Sequence, residues 1–245
     1  MKKIFTFILL LSVNLFSFAL PNKLYLTDKE HCFEIKNHTL YNDDGEFVAT
    51  IKDNKLYDTE ENDVGTLIED KSTVSLNLFE NGKAILSFDF NSETGFMTKA
   101  VTYTDGTIDS IVICTYDKEK LTKTTLYNSE NIVIGYEEYS YDKKSGHRIK
   151  NTAYDENNRL ETVTEYDSKT GNMVLESVFD ADKHLVLSYE YDSKTAKRIK
   201  TTEYNGNGTL KSETIYDKKS EKPTERLIYN EKWKKACKMD FLKVY

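Results

Sequence analysis

The chain has 245 residues, a formal charge of −7, 38% hydrophobic and 31% charged residues. The acidic balance argues against a nucleic-acid partner, which is held by Lys and Arg neutralising phosphates, and against electrostatic docking on anionic lipid. The apolar share is below the globular norm, so a thick two-layer core is hard to fill and a thin sheet is easier.

The opening MKKIFTFILLLSVNLFSFALPNK places Lys2 and Lys3 before an apolar run over 4–16 and the small-x-small triplet Ser17-Phe18-Ala19. That is the layout of a secretory signal peptide over residues 1–19. The run is too short for a spanning helix and carries Asn14. No cysteine follows the cleavage point to take a lipid. The expectation is export, to the periplasm, cell surface or medium, with no transmembrane segment after cleavage. Three cysteines, Cys32, Cys114 and Cys237, lie far apart without CxxC spacing. Export permits one disulfide, but the odd count leaves a thiol over, and three small half-buried side chains is the plainer reading.

Residues 20–72 carry a 16-residue repeat: IKNHTLYNDDGEFVAT from Ile35 and IKDNKLYDTEENDVGT from Ile51. Each copy reads as a short hairpin pair, and a boundary is placed near residue 72.

From residue 73 to 230 the period is 25. Tyr141, Tyr166, Tyr191 and Tyr216 are each followed by Asp, with Tyr116-Asp117 in the same register. A fixed period of this size marks a repeat architecture. A second aromatic pair recurs inside each block, at Tyr154, Phe179 and Tyr204. Thr, Val, Ile and Tyr lie between the pairs and turn formers just after them, which reads as strand and hairpin. Asn158, Gly208 and Gly45 suit the left-handed position of three-residue loops; Gly146, Gly171 and Gly95 close loops one residue longer. Tyr103-Thr104-Asp105-Gly106 signals a two-residue hairpin.

Nine-residue strands with loops of four and three fill the period. Tyr154 is then predicted to pair with Leu160, Tyr204 with Leu210, and Tyr141 with Arg148. Side chains alternate along a strand, so this register predicts every repeat aromatic on one face. The fold class is all-β, an elongated antiparallel meander of hairpin repeats, two strands per period and largely single-layer. Glu221 and Pro223 are expected to break the turn pattern, and residues 231–245, with Trp233, Phe241 and Tyr245, to cap the open edge.

The segments YDENNRLETVTEYD and YNGNGTLKSETIYD resemble the variant MORN repeat: an aromatic, an Asn-Gly turn, then a strand. They are also similar to the YD repeats of Rhs-type surface and toxin proteins, whose shells are far larger than this chain. The resemblance spans about residues 79–230. Asn replaces Gly in one turn, and the GxG start of ordinary MORN repeats is missing. The resemblance implies antiparallel hairpin repeats, an exported bacterial protein, and protein or envelope interactions; it implies no catalytic residue.

No GxSxG, P-loop, GxGxxG or HExxH motif occurs, and His31, His38, His147 and His184 have no zinc-ligand spacing. Asp117, Asp142, Asp155, Asp167, Asp192 and Asp217 recur at turns, where Asp caps its own backbone. A catalytic carboxylate pair would be unique rather than copied along the chain. The expectation is therefore a non-enzymatic protein without cofactor or metal. Its candidate binding residues are Tyr141, Tyr154, Tyr166, Tyr189, Tyr191, Tyr204 and Tyr216, since Tyr is enriched at interfaces; cross-strand packing is the plainer role for the same rows. The expected partner is a protein or envelope component. The alternatives are a glycan, or a toxin-associated role with activity in residues 20–72.

Overall fold

The computed structural model describes residues 21–26, 31–230 and 235–240. The signal-peptide expectation, and Trp233, Phe241 and Tyr245 of the expected cap, lie outside the described residues. Among those described there is no helix, and neighbouring strands pair antiparallel in sequence order, which is the meander of hairpins expected. Two compact units divide at Ile134/Gly135.

The first unit holds β1 (Lys23–Tyr25), β2 (Cys32–Lys36), β3 (Thr39–Tyr41), β4 (Phe47–Lys52), β5 (Lys55–Tyr57) and β6 (Asp63–Glu69). It continues with β7 (Thr73–Glu80), β8 (Lys83–Asn91), β9 (Met97–Thr104), β10 (Thr107–Asp117) and β11 (Lys120–Asn128). The 16-residue copies are hairpins with two-residue turns at Asn37-His38 and Asp53-Asn54. All four residues have positive φ, as such turns require. The change of period at residue 72 falls inside a hairpin, because β6 pairs with β7 from Gly65↔Leu78 to Glu69↔Val74. The Asp105-Gly106 turn joins β9 to β10 through Thr104↔Thr107, as its dipeptide predicted.

This unit has a core. Leu24, Leu40, Val48, Leu56, Leu67, Val74, Leu76 and Phe90 are fully buried. In β7 they alternate with half-exposed positions, so one face is apolar; in β4 a bulge leaves the adjacent Val48 and Ala49 both buried. β1 pairs with β2 on one side and meets the β8–β9 turn on the other, where the Tyr25 N–H donates to the Gly95 carbonyl at 2.8 Å. The strands between must curl around the leucines for both contacts to form. The expectation was a largely single-layer sheet; this unit adds a leucine-rich apolar core on one face of it.

The second unit begins within β12 (Val133–Tyr141) and runs through β13 (Arg148–Asp155), β14 (Leu160–Tyr166), β15 (Met173–Phe179) and β16 (Leu185–Tyr191). It ends with β17 (Arg198–Tyr204), β18 (Leu210–Tyr216), β19 (Pro223–Tyr229) and β20 (Lys235–Asp240). Its buried residues among those described are polar: Asp155, Ser188, Thr202 and Ser212. The expected pairs Tyr154↔Leu160, Tyr204↔Leu210 and Tyr141↔Arg148 all occur. Loops of four and three residues are closed by Asp142 N–H to His147 O at 2.9 Å and Asp155 N–H to Arg159 O at 3.0 Å. The expected left-handed residues Asn158, Gly208, Gly146 and Gly171 all have positive φ.

Two expectations fail here. Glu221 and Pro223 do not break the pattern: Asp217 N–H still closes on Lys222 O, and Pro223 opens β19, where a strand tolerates proline. More consequential, the repeat aromatics do not share one face. Every hairpin from β12–β13 to β19–β20 shifts register at its turn-proximal aromatic. Ala153 pairs with Thr162 but Tyr154 with Leu160, so Glu161 is an extra, unpaired residue. Such a bulge reverses the alternation once per turn. Tyr154 therefore shares a side with Val163 and Glu165, and Tyr166 points to the other.

Candidate interaction surface

Paired residues face the same way, so the register sorts the seven candidate tyrosines. Tyr141, Tyr166, Tyr189, Tyr191 and Tyr216 lie on one face, and Tyr154 and Tyr204 on the opposite one. Side-chain contacts agree. Asn151 donates to the Tyr166 hydroxyl at 3.2 Å, and Thr201 to that of Tyr216 at 3.3 Å. Asn151 and Thr201 each stand three residues before Tyr154 and Tyr204, hence on the other side of their strands.

All seven rings are half-buried. On the Tyr166 face the row is tied together by two arginines. The Arg148 guanidinium lies 5.6 Å from the Tyr139 ring and 5.3 Å from that of Tyr166. Arg198 repeats this between Tyr189 at 5.6 Å and Tyr216 at 4.6 Å. Such contacts between cation and ring face are attractive, more so when desolvated. Burial pushes the Tyr166 hydroxyl's pKa up, and burial with the nearby Glu176 carboxylate does the same to Tyr191. Both phenols therefore stay protonated and act as neutral hydrogen-bonding groups.

The Tyr154 face is built differently. Tyr136 and Tyr154 stack at 4.7 Å between ring centres. Further along, Lys200 bridges Glu190 and Glu213, both at 2.9 Å. Burial opposes its charge, but the two hydrogen bonds outweigh burial and raise its pKa.

Sequence reasoning missed Arg148 and Arg198. Their signal was present: RIK follows the four-residue turn at both positions, 148–150 and 198–200, while Met173 fills the place between.

The turn aspartates are occupied by their own backbones. Asp167 Oδ1 accepts the N–H groups of Lys169 and Thr170, and Asp142, Asp155, Asp192 and Asp217 do likewise. Asp117 differs: it pairs with Lys120 inside β10, across a two-residue turn. Asp180, Asp182 and His184 bring one ligand atom each within 4.8 Å in the β15–β16 turn. Asp180 Oδ1 already accepts the backbone N–H groups of the other two, so the cluster is the same turn motif with an added imidazole. A nearby cavity of about 110 Å³ is lined by Asp155, Arg159, Phe179 and Asp180 among others. It is smaller than a typical small-molecule site, and Arg159 is locked to Asp155 at 2.6 Å. Cys32 and Cys114 are buried and Cys237 is exposed; burial pushes the Cys114 thiol up to about 11.

A family described as a protein of unknown function, DUF2963, matches residues 179–227, well under half of the chain. No curated protein matches the chain. Among solved structures, a TarM variant from S. aureus in complex with fondaparinux, alpha-GlcNAc-glycerol and UDP is 14% identical, over 54% of this chain and 21% of that one, with a TM-score of 0.25. TcdB2-TccC3-TEV is 10% identical over 86% and 16%, with a TM-score of 0.25. A porin-like protein from Bacteroides uniformis is 8% identical over 82% and 91%, with a TM-score of 0.27. This chain thus spans about a fifth of the TarM chain. Likeness at this level carries no conclusion about activity or partners.

Proposed function

We propose that this β-repeat protein is exported and non-enzymatic, of the variant MORN type, and that its Tyr166 face docks a protein or cell-envelope component. The observation that carries the reading is the row of Tyr141, Tyr166, Tyr189, Tyr191 and Tyr216, half-buried on one face and interleaved with arginine. Tyr and Arg are the residue types that anchor interfaces. Export rests on the Lys2-Lys3, apolar run and Ala19 pattern. The turn aspartates, engaged by backbone N–H groups, support a structural role for the recurrent carboxylates.

Flat rings in a row also suit stacking on sugars, so a glycan is the second reading. The toxin-associated alternative is weaker, because residues 20–72 supply Leu24, Leu40, Leu56 and Leu67 to the core of the first unit.

The test is a cross-linked pull-down from envelope fractions, using the chain without residues 1–19. Tyr166→Ala with Tyr191→Ala should abolish capture, while Tyr154→Ala with Tyr204→Ala should preserve it. Equal capture by both double variants would overturn the assignment of the face. A parallel glycan array with the same variants separates the second reading.

A further inference from the structure

The two turn-bearing margins of the second unit differ in charge. The four-residue turns, 142–147, 167–172, 192–197 and 217–222, hold eight lysines against five acids. The three-residue turns, 155–159, 180–184 and 205–209, hold four acids against one arginine and one lysine. Among the described residues, Lys143, Lys144, Lys169, Lys194, Lys219 and Lys222 are exposed and have no ion pair. Lys197 and Lys218 instead pair with Glu221 and Asp192.

The arginines follow the same division. Of the four in the chain, Arg159 is neutralised by Asp155 and Arg226 by Glu203. Arg148 and Arg198 stand at the foot of the four-residue turns, opposite Tyr141 and Tyr191. Their guanidiniums are held between tyrosine rings rather than by a carboxylate. A ring pair orients the guanidinium plane and leaves its N–H donors for an external acceptor.

We infer that this margin is a docking line for a flexible linear polyanion, a polymer carrying phosphate or carboxylate at regular intervals. Successive four-residue turns are two strands apart, roughly 10 Å, so the lysines form a single file. Exposed lysines supply mobile point charges along the file, and Arg148 and Arg198 give two fixed, bidentate contacts beneath it. The net acidity of the chain and the acidic opposite margin disfavour a broad anionic body such as a duplex or a lipid plane. A thin chain meets the basic rim alone. This goes beyond the tyrosine-face reading and rests on it only in taking the second unit as a binding module.

The test measures binding of the full chain to inorganic polyphosphate and to polygalacturonate across a salt series. Lys143→Gln, Lys144→Gln, Lys169→Gln and Lys194→Gln together should weaken binding at least tenfold. They should also lower the log–log salt slope by about 3, at about 0.7 per neutralised charge. Arg148→Met with Arg198→Met copies the residue natural at Met173 and should weaken binding while the circular-dichroism spectrum holds. Lys183→Gln with Lys211→Gln, removing charge at the opposite margin, should bind as the parent does. Preference for one polymer identifies phosphate or carboxylate as the natural group. No binding at 50 mM salt, equal loss in the control variant, or tighter binding to duplex DNA or anionic vesicles would overturn the inference. The tyrosine rows stay intact in the lysine variants, so failure here and failure of the tyrosine face are read separately.

Discussion

Asn151 donates a hydrogen bond to the Tyr166 hydroxyl at 3.2 Å, across the β13–β14 hairpin. Tyr154, three residues further along β13, faces away from that contact and stacks on Tyr136. A double-mutant cycle should read the two faces separately. Tyr136 and Tyr154 are expected to couple by about 0.5–1.5 kcal/mol, and Tyr154 and Tyr166 not at all. The measurement is urea unfolding of the single and double Tyr→Leu variants at these positions.

The turn positions make a second prediction. Ala196 and Glu221 sit at φ of 56°, where the neighbouring repeats use Gly171 and Gly146. An L-residue in this region costs about 1–2 kcal/mol, partly offset by the greater chain entropy of glycine. Ala196→Gly and Glu221→Gly should therefore each raise stability by about 0.5–1 kcal/mol, and Gly171→Ala should lower it, all read as shifts in urea midpoint.

Acid should loosen the repeats. Backbone N–H groups of their own turns hold Asp167 and Asp217 below the usual carboxylate range. Asp192 is lowered to about 2, first by Lys218 and then by its turn backbone. A carboxyl with a depressed folded value stabilises fully above its unfolded value near 3.9. That stabilisation is lost as pH falls through the folded value. Melting temperature should thus fall between about pH 4 and pH 2. Asp192→Asn retains a side-chain oxygen acceptor like those of Asn91 and Asn128, and should flatten the dependence by removing its own contribution.

The contact closing the first unit can be broken by one methyl group. A Cβ at Gly95 would lie 2.3 Å from the Lys23 carbonyl oxygen, and its φ of 73° already disfavours an L-residue. Gly95→Ala should cost at least about 2 kcal/mol, within the range for backbone strain combined with a steric clash. Differential scanning calorimetry would show a lowered transition; an unchanged trace would mean that β1 does not dock there.

Much of this architecture was legible in residues. The Tyr-Asp period, the loop lengths and the partners of Tyr141, Tyr154 and Tyr204 follow from where Asn158, Gly146 and Gly208 allow positive φ. The bulges were not legible, because Leu160-Glu161 carries no glycine or other local mark of an extra residue. One unmarked residue per hairpin is enough to move Tyr154 and Tyr204 to the far face. The core of the first unit was hidden in average composition, since its leucines are confined to one stretch of the chain. Arg148 and Arg198 were visible as a repeated RIK, but their role depends on rings contributed by neighbouring strands.

The central claim is a repeat sheet whose bulged hairpins place two tyrosine sets on opposite faces, and engineered cysteine pairs test it most directly. With Cys32, Cys114 and Cys237 replaced by Ser, Asn151→Cys should oxidise with Thr164→Cys, its partner across the bulged hairpin. It should not oxidise with Val163→Cys, the partner that an unbulged register requires. A disulfide in the second pair and none in the first would put Tyr154 on the same face as Tyr166 and contradict the account.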